Sequence, residues 1–495
     1  MITPTLCARA AGWPERVALE GPDGAATYGQ LLDSSARTAT ALLDGRADLD
    51  ETRVVFLLPP GVRHVETQWG IWRAGGIAVP LSASQAPAEW DYVVADTVAT
   101  LVVGDDSAAE LKSIAAARGA RFVDAGRLGE SGRAGQPLPE VARDRRAMML
   151  YTSGTTSRPK GVVTTHRSFE AQITTLADAW GWTADDRVLH VLPLNHVHGI
   201  VNILGCALWA GGVCEFLAPF EPNAVWNRMA AGGLTLFMAV PTIYARLLAA
   251  WEAADDSLRA RWSDGARGLR LTVSGSAALP VPLLERWRAA TGHVLLERYG
   301  MTEIGMALSN PLAGERRPGS VGLPLPGVDV RLVDESGAGV PAGTPGEIEV
   351  RGESVFREYW ARPEATRESF RDGWFRTGDV AVIEAGYWRI LGRQSVDIIK
   401  SGGYKVSALE IEDVLRQHPE IRDCAVVGIP DDEWGERVAA AIVPGSGDGP
   451  TLEILREWAA ARLAKYKLPT RMRLVDDLPR NAMGKIVKAR VKELF

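Results

Sequence analysis

Between Leu150 and Val163 the chain reads LYTSGTTSRPKGVV, which sets hydroxyls, a glycine and one lysine within reach of a single anion. Thr152, Ser153, Thr155 and Thr156 offer hydroxyl donors, Gly154 frees backbone amides, and Lys160 adds an ammonium. Together they suit a polyphosphate better than other common ligands. The run is not a P-loop, in which glycine directly precedes Lys-Ser/Thr, because Pro159 precedes Lys160 and Gly161 follows it. Taken alone, a Gly/Ser/Thr loop after a strand is more often a surface turn.

The elements around this loop set the context. From Arg16 to about Arg146, short apolar runs (Arg53 to Leu58, Gly76 to Pro80, Thr100 to Gly104) alternate with Ala-rich helical segments such as Gln30 to Leu43. The texture resumes after the loop, with candidate strands at Arg187 to Val191, Leu234 to Ala239, Leu269 to Val273 and His293 to Leu296. Such alternation predicts parallel sheets layered with helices. Two of these strands are expected to run into loops, Ser274 to Ala277 and Arg298 to Glu303, at the strand ends where α/β sheets place ligands.

After about Pro311 the chain becomes rich in Gly and Pro, with short alternating strands (Val328 to Leu332, Gly346 to Val350), as expected of a β-subdomain over about 312–390. Ser407 and Glu410 spell a capping box, followed by an apolar face through Ile411, Val414 and Leu415. A second helix is expected from about Thr451 to Leu463. The expected fold is therefore α/β: a large N-terminal domain (1–394) of parallel, αβ-layered sheets plus the β-subdomain, and a small, mobile α+β C-terminal domain (395–495).

Composition narrows the class. The 495 residues are too many for one core and are 46% hydrophobic and 23% charged, ordinary for a globular protein. A net charge of -6 argues against a nucleic-acid partner. Cys7, Cys206, Cys214 and Cys424 are scattered without metal spacing and read as reduced thiols. The N-terminal stretch lacks the layout of a signal or transit peptide, and no apolar run approaches a membrane span of ~20 residues. The expected location is the cytoplasm.

In order, YTSGTTSRPKG, YGMTE, FRTGD, GRQSVDIIKSGG and NAMGK resemble the motifs of the adenylate-forming family of acyl-CoA synthetases, luciferases and peptide-synthetase adenylation domains. The resemblance covers nearly the whole chain. It implies that ATP, Mg²⁺ and coenzyme A take part. It further implies that Thr152, Ser153, Gly154, Thr155, Thr156 and Lys160 hold pyrophosphate, that Thr302 contacts the α-phosphate, and that Glu303 binds the metal. By the same resemblance Tyr299 lies against adenine beside backbone at Gly275 and Ser276, Asp379 accepts the ribose hydroxyls, and Arg393 supports that sugar. Lys485 would reach from the small domain to the bridging oxygen, and Gly402 and Gly403 would line the pantetheine tunnel. In isolation Glu303 and Asp379 would be solvated loop acids, Arg393 a surface ion-pair partner and Lys485 an ordinary terminal lysine. Where many family members carry Asp at the pivot, this chain has Ser395, which a hinge tolerates.

The acid is narrowed by less usual residues. His196 matches a position common in fatty-acid and aryl-acid activators. His198 and Arg298 stand where such enzymes usually border an apolar tail, and a cation and an imidazole there would be costly to bury. With Ser274 and Met301 they suit a second carboxylate, Arg298 offering a bidentate fork. The bland alternatives are a satisfied core histidine at His198 and a structural ion pair of Arg298 with Glu297 or Glu315. From His196 to Gly327 the runs HVHGIVN, FMAVPTIY, VSGSAALP and LLERYGMTEIGMALSNPL resemble malonyl-CoA synthetases, including those that accept methylmalonate. The resemblance implies an ATP-dependent ligase that takes malonate, or methylmalonate, through an acyl-adenylate to its CoA thioester, releasing AMP and pyrophosphate. It would be a monomer or homodimer with no nucleic-acid or membrane partner. The alternatives are an adenylation enzyme for another small acid or for a carrier protein, and a non-catalytic nucleotide-binding protein.

Overall fold

The structure is a computed structural model that describes residues 4–131, 136–152, 159–401, 404–445, 447–480 and 486–495. Among these residues the strands form four sheets, of nine, seven, five and five strands. In the nine-stranded sheet, Leu296–Met301, Leu271–Ser274, Leu236–Ala239, Arg187–His190, Val213–Phe216 and Val17–Gly21 run parallel in that spatial order. The seven-stranded sheet has a parallel block from Arg146–Thr152 through Ile77–Pro80, Arg53–Leu57 and Leu101–Gly104 to Arg121–Asp124. Antiparallel Lys160–Thr165 and Glu358–Tyr359 extend it.

Strands such as Ile77–Pro80, Leu236–Ala239 and Leu271–Ser274 are buried at every residue, as parallel strands covered on both faces must be. One continuous core joins Leu150 and Val162 of one sheet to Val188, Leu236 and Val273 of the other. The same core takes in Trp69 and Trp72 of the helix Val62–Arg73 and Phe169 and Ile173 of the helix His166–Ala179. Those helices are the filling between the two sheets. The Trp72 indole stays satisfied in that core by donating to the Ala147 carbonyl at 2.7 Å. A second cluster, with Trp226, Tyr244, Trp262 and Trp287, covers the far face of the nine-stranded sheet.

Five strands between Val328 and Arg393 form an antiparallel sheet, in the turn-rich stretch where a β-subdomain is expected, while Glu358–Tyr359 between them joins the seven-stranded sheet. A smaller C-terminal domain carries its own five-stranded sheet, built on Ile421–Asp431 and Gly435–Pro444, with the helices Ala408–Leu415 and Leu452–Ala460. Ser407 caps the first helix by accepting from the Glu410 amide at 3.1 Å. The reciprocal half of the expected capping box is not made: the Glu410 carboxylate binds the Lys467 ammonium at 2.6 and 2.7 Å, because an ammonium within reach outbids an amide.

The expected loop at Arg298 is also different. Arg298 to Met301 continue the strand Leu296–Met301 and pair with Gly305–Ser309 as a hairpin. The hairpin closes tightly: a β-carbon at Gly300 would stand 2.0 Å from the Gly305 carbonyl oxygen. Among the described residues no helix is long and apolar enough to cross a membrane.

Candidate active site

The strand Leu296–Met301 and the turn after it distribute the site. Successive strand residues point to opposite faces, so Arg298 and Tyr299 serve different pockets, and Glu303, two residues past the strand, serves a third.

On one face lies Arg298, 3% exposed. Among the described residues its Nε and Nη2 have no hydrogen-bond partner, and burial pushes its pKa down to about 9. Neither of the alternative ion pairs, with Glu297 or Glu315, forms. Glu315 binds Arg317 at 3.0 Å, while Glu297 accepts from the Leu279 amide at 3.1 Å and its other oxygen has no partner among the described residues. Burial pushes the Glu297 carboxyl up to about 8, which disfavours its charged form as a partner for Arg298.

His198 opens the π-helical segment His198–Gly205. Its Nδ1 is 3.3 Å from the Ser276 hydroxyl, and its Nε2 has no partner among the described residues. Burial first, and the Arg298 charge second, hold its pKa well below the ordinary value, so the ring is neutral. Ser276 holds that contact from a left-handed backbone, φ +70°, an uncommon conformation for a residue with a side chain and one that clusters at functional sites. Ser274 is fully buried, its hydroxyl unpartnered among the described residues. Met301 ends the strand, half-buried against the core, and Thr302 lies half-buried in the turn. His196 is half-buried just before the π-helical segment, and its carbonyl accepts from the Gly199 and Ile200 amides at 3.0 Å.

On the other face, Tyr299 donates to Asp379 Oδ2 at 2.6 Å, and Arg393 Nε donates to Oδ1 at 3.0 Å. Burial and then Asp379 raise the Tyr299 pKa well above its ordinary value. Burial works to lower that of Arg393, but the Asp379 charge and hydrogen bond hold it above normal. A carboxylate has about four lone-pair sites, so these two bonds leave acceptor capacity for a diol. A cleft of about 470 Å³ opens beside Arg393, bounded also by Thr377, Gly378, Gln394 and Ser395.

Glu303, 5% exposed, is the third group. Its Oε1 accepts from the Tyr359 hydroxyl at 2.9 Å. The Lys160 ammonium lies 4.8 Å from the centre of the Tyr359 ring. Thr152 ends its strand opposite Lys160. Glu303 and Arg393 feel one another's charge, so the second and third groups are neighbours.

Ser153, Gly154, Thr155, Thr156, Gly402, Gly403 and Lys485 lie outside the described residues. Two features were not singled out as site residues from the sequence. Tyr359 is separated from Glu303 by 56 positions. Asn202, fully buried in the π-helical segment with both amide atoms unpartnered among the described residues, closes the run HVHGIVN, which was its only signal.

A model of the family described as AMP-binding enzyme matches residues 6–360, and one described as AMP-binding enzyme C-terminal domain matches residues 410–485. Malonate–CoA ligase ACSF3, mitochondrial, of Mus musculus is 46% identical over 528 residues, spanning 98% of this chain and 90% of its own. ATP-bound MatB from Rhodopseudomonas palustris matches with a TM-score of 0.90 at 36% identity, over 99% of this chain and 98% of its own. O-succinylbenzoate coenzyme A synthetase from Bacillus subtilis, in complex with ATP and magnesium, matches at 0.85 and 28% identity, over 98% of each chain.

Proposed function

The chain belongs to the AMP-binding enzyme family, and on that premise we propose that it joins malonate to coenzyme A at the expense of ATP, with methylmalonate as the second candidate acid. A malonate oxygen attacks the α-phosphorus and pyrophosphate leaves; the CoA thiol, losing its proton, then attacks the acyl carbonyl and AMP leaves. The observation that carries the choice of acid is Arg298: a buried guanidinium with two unpartnered nitrogens, beside a neutral imidazole and an unpartnered serine hydroxyl. An apolar tail would leave those donors unsatisfied, whereas a distal carboxylate accepts from them.

In this reading Arg298, His198, Ser274 and Met301 hold the acid and His196 borders the reacting carboxylate. Asp379 and Arg393 hold the ribose, Tyr299 and backbone at Gly275 and Ser276 the adenine. Thr152, Ser153, Gly154, Thr155, Thr156 and Lys160 receive pyrophosphate, and Thr302 the α-phosphate. Lys485 serves the first step and Gly402 and Gly403 the second, the small domain (395–495) pivoting at Ser395 between them. Glu303 fits Mg²⁺. Among the described residues no cluster of three or more His, Cys, Asp or Glu forms a cage, and Mg²⁺ is commonly held by one or two carboxylates plus substrate phosphates. Once bound, it would neutralise charge on those phosphates.

The cytoplasm remains the proposed location, whereas the mouse relative is described as mitochondrial; fractionation with an antibody to the chain decides between them. A monomer or homodimer free of nucleic acid and membrane is proposed with it, and light scattering on the purified chain tests that state. The decisive assay for function is pyrophosphate release across short mono- and dicarboxylates with CoA present. Malonate or methylmalonate should lead the panel; a lead for butyrate or benzoate would sink the dicarboxylate reading.

A further inference from the structure

One short segment, Phe356 to Trp360, grips both charged groups assigned above to the metal and the phosphates. The Phe356 amide donates to the Glu303 carbonyl at 2.7 Å, and the Trp360 amide to the Gly161 carbonyl at 2.8 Å. Between them Glu358–Tyr359 pairs with Lys160–Thr165, Tyr359 opposite Val162. The Tyr359 side chain, 8% exposed, then meets both charges: its hydroxyl donates to Glu303 Oε1 at 2.9 Å, and its ring carries the Lys160 ammonium 4.8 Å from its centre.

We propose that Tyr359 is a positioning residue for phosphate chemistry, its hydroxyl orienting the Glu303 carboxylate toward a divalent cation and its ring holding the Lys160 ammonium toward the nucleotide. This rests on the assignment of Glu303 to the metal and Lys160 to the phosphates. A hydroxyl bonded to one carboxylate oxygen fixes the carboxylate plane and leaves lone pairs of the carboxylate to face the cation, the arrangement by which outer groups commonly orient metal ligands. It also favours the charged carboxylate against the burial that raises the Glu303 pKa. The ring acts separately, because a cation over an aromatic face is held by the ring quadrupole and not by the hydroxyl.

The two contributions come apart by substitution. Tyr359→Phe keeps the ring and removes the donor; Tyr359→Leu removes both. Mn²⁺ bound to full-length protein with a non-hydrolysable ATP analogue is followed by electron paramagnetic resonance, and metal-free binding of the analogue by calorimetry. Tyr359→Phe should weaken Mn²⁺ about five- to tenfold and leave metal-free nucleotide affinity unchanged. Tyr359→Leu should weaken both. Glu303→Gln should weaken Mn²⁺ further, and adding Tyr359→Phe to it should change Mn²⁺ less than about twofold, since the hydroxyl acts through that carboxylate. If Glu303→Gln weakens Mn²⁺ while Tyr359→Phe does not, the role of Tyr359 is overturned and the metal assignment stands. If Glu303→Gln itself leaves Mn²⁺ binding unchanged, the underlying assignment fails and the proposal falls with it.

Discussion

The guanidinium of Arg298 lies flat against Gly275: a β-carbon on Gly275 would stand 2.5 Å from Cζ, 2.6 Å from Nε and 2.7 Å from Nη1. Gly275 follows the strand Leu271–Ser274, whose Ser274 is in register with Glu297 of the neighbouring strand. The seat of the buried cation is thus the first residue past the adjacent strand. In the proposed reading the same backbone faces adenine, so acid selection and nucleotide binding share one residue.

Gly275→Ala tests that seat. The added methyl meets the far end of a long side chain, so the fold should survive while the guanidinium shifts. A misplacement near 1 Å can cost about a hundredfold in rate, and kcat/KM for malonate should fall ~10- to 100-fold with the unfolding temperature nearly unchanged. Steady-state kinetics with each substrate varied should assign most of the loss to malonate. A loss confined to ATP would show that Gly275 serves only the nucleotide.

Glu297 predicts a pH dependence of stability. Burial raises its pKa from 4.5 to about 8. The folded chain therefore keeps a proton that the unfolded chain gives up. Stability falls as pH rises from about 4.5 through about 8, and the loss is complete above that. Glu297→Gln still accepts from the Leu279 amide but cannot ionise, so its advantage in unfolding temperature over the parent should widen between pH 5 and pH 9. Calorimetry at several pH values checks this, and a difference that does not vary with pH would show that Glu297 is already ionised in the fold.

The layered sheets were legible because parallel strands must be apolar throughout and their helices amphipathic, and both patterns are local. The hairpin at Arg298 was not, because YGMTE reads as turn chemistry and only pairing with Gly305–Ser309 makes a strand of its first residues. The half-made capping box failed for a similar reason: Lys467, which takes Glu410, is distant in sequence. In the site, the unusual types of Arg298 and His198 were readable at single positions. The Tyr359 contact with Glu303 and the fit of Gly275 to Arg298 are pairings across strands, invisible to any local pattern.

Lys488 predicts where the small domain is held. It is 7% exposed, with its ammonium 2.8 Å from Asp397 and 2.7 Å from Glu412, and Glu412 also accepts from the Val426 amide at 2.8 Å. Lys488→Met keeps the bulk, takes the ammonium from Asp397 and leaves Glu412 with Arg416 alone at 3.2 Å, which by analogy with broken buried pairs costs up to about 3–5 kcal/mol. Hydrogen exchange should quicken in Ile421–Asp431 and Gly435–Pro444 and stay unchanged in Leu271–Ser274. Uniform quickening would mean that the domains unfold as one unit.

Arg298→Leu is the sharpest test of the proposed substrate. If the guanidinium pairs with the distal carboxylate of malonate, removing it leaves that anion unpaired in a desolvated pocket, at a cost of roughly 2–5 kcal/mol by analogy with truncated buried charge pairs. At ~1.4 kcal/mol per decade, kcat/KM for malonate should drop by about one and a half to three and a half decades. The same substitution removes the penalty that two unpartnered nitrogens impose on an apolar tail, so propionate and butyrate should lose far less or gain, as expected where one group attracts the right acid and repels the wrong one. His198→Leu should push the same way more weakly, because a neutral imidazole offers a hydrogen bond and no fixed charge. The informative quantity is the ratio of malonate to butyrate, since damage to folding lowers both together. If Arg298→Leu slows the two acids by the same factor, Arg298 is a structural residue and the dicarboxylate reading loses its main physical support.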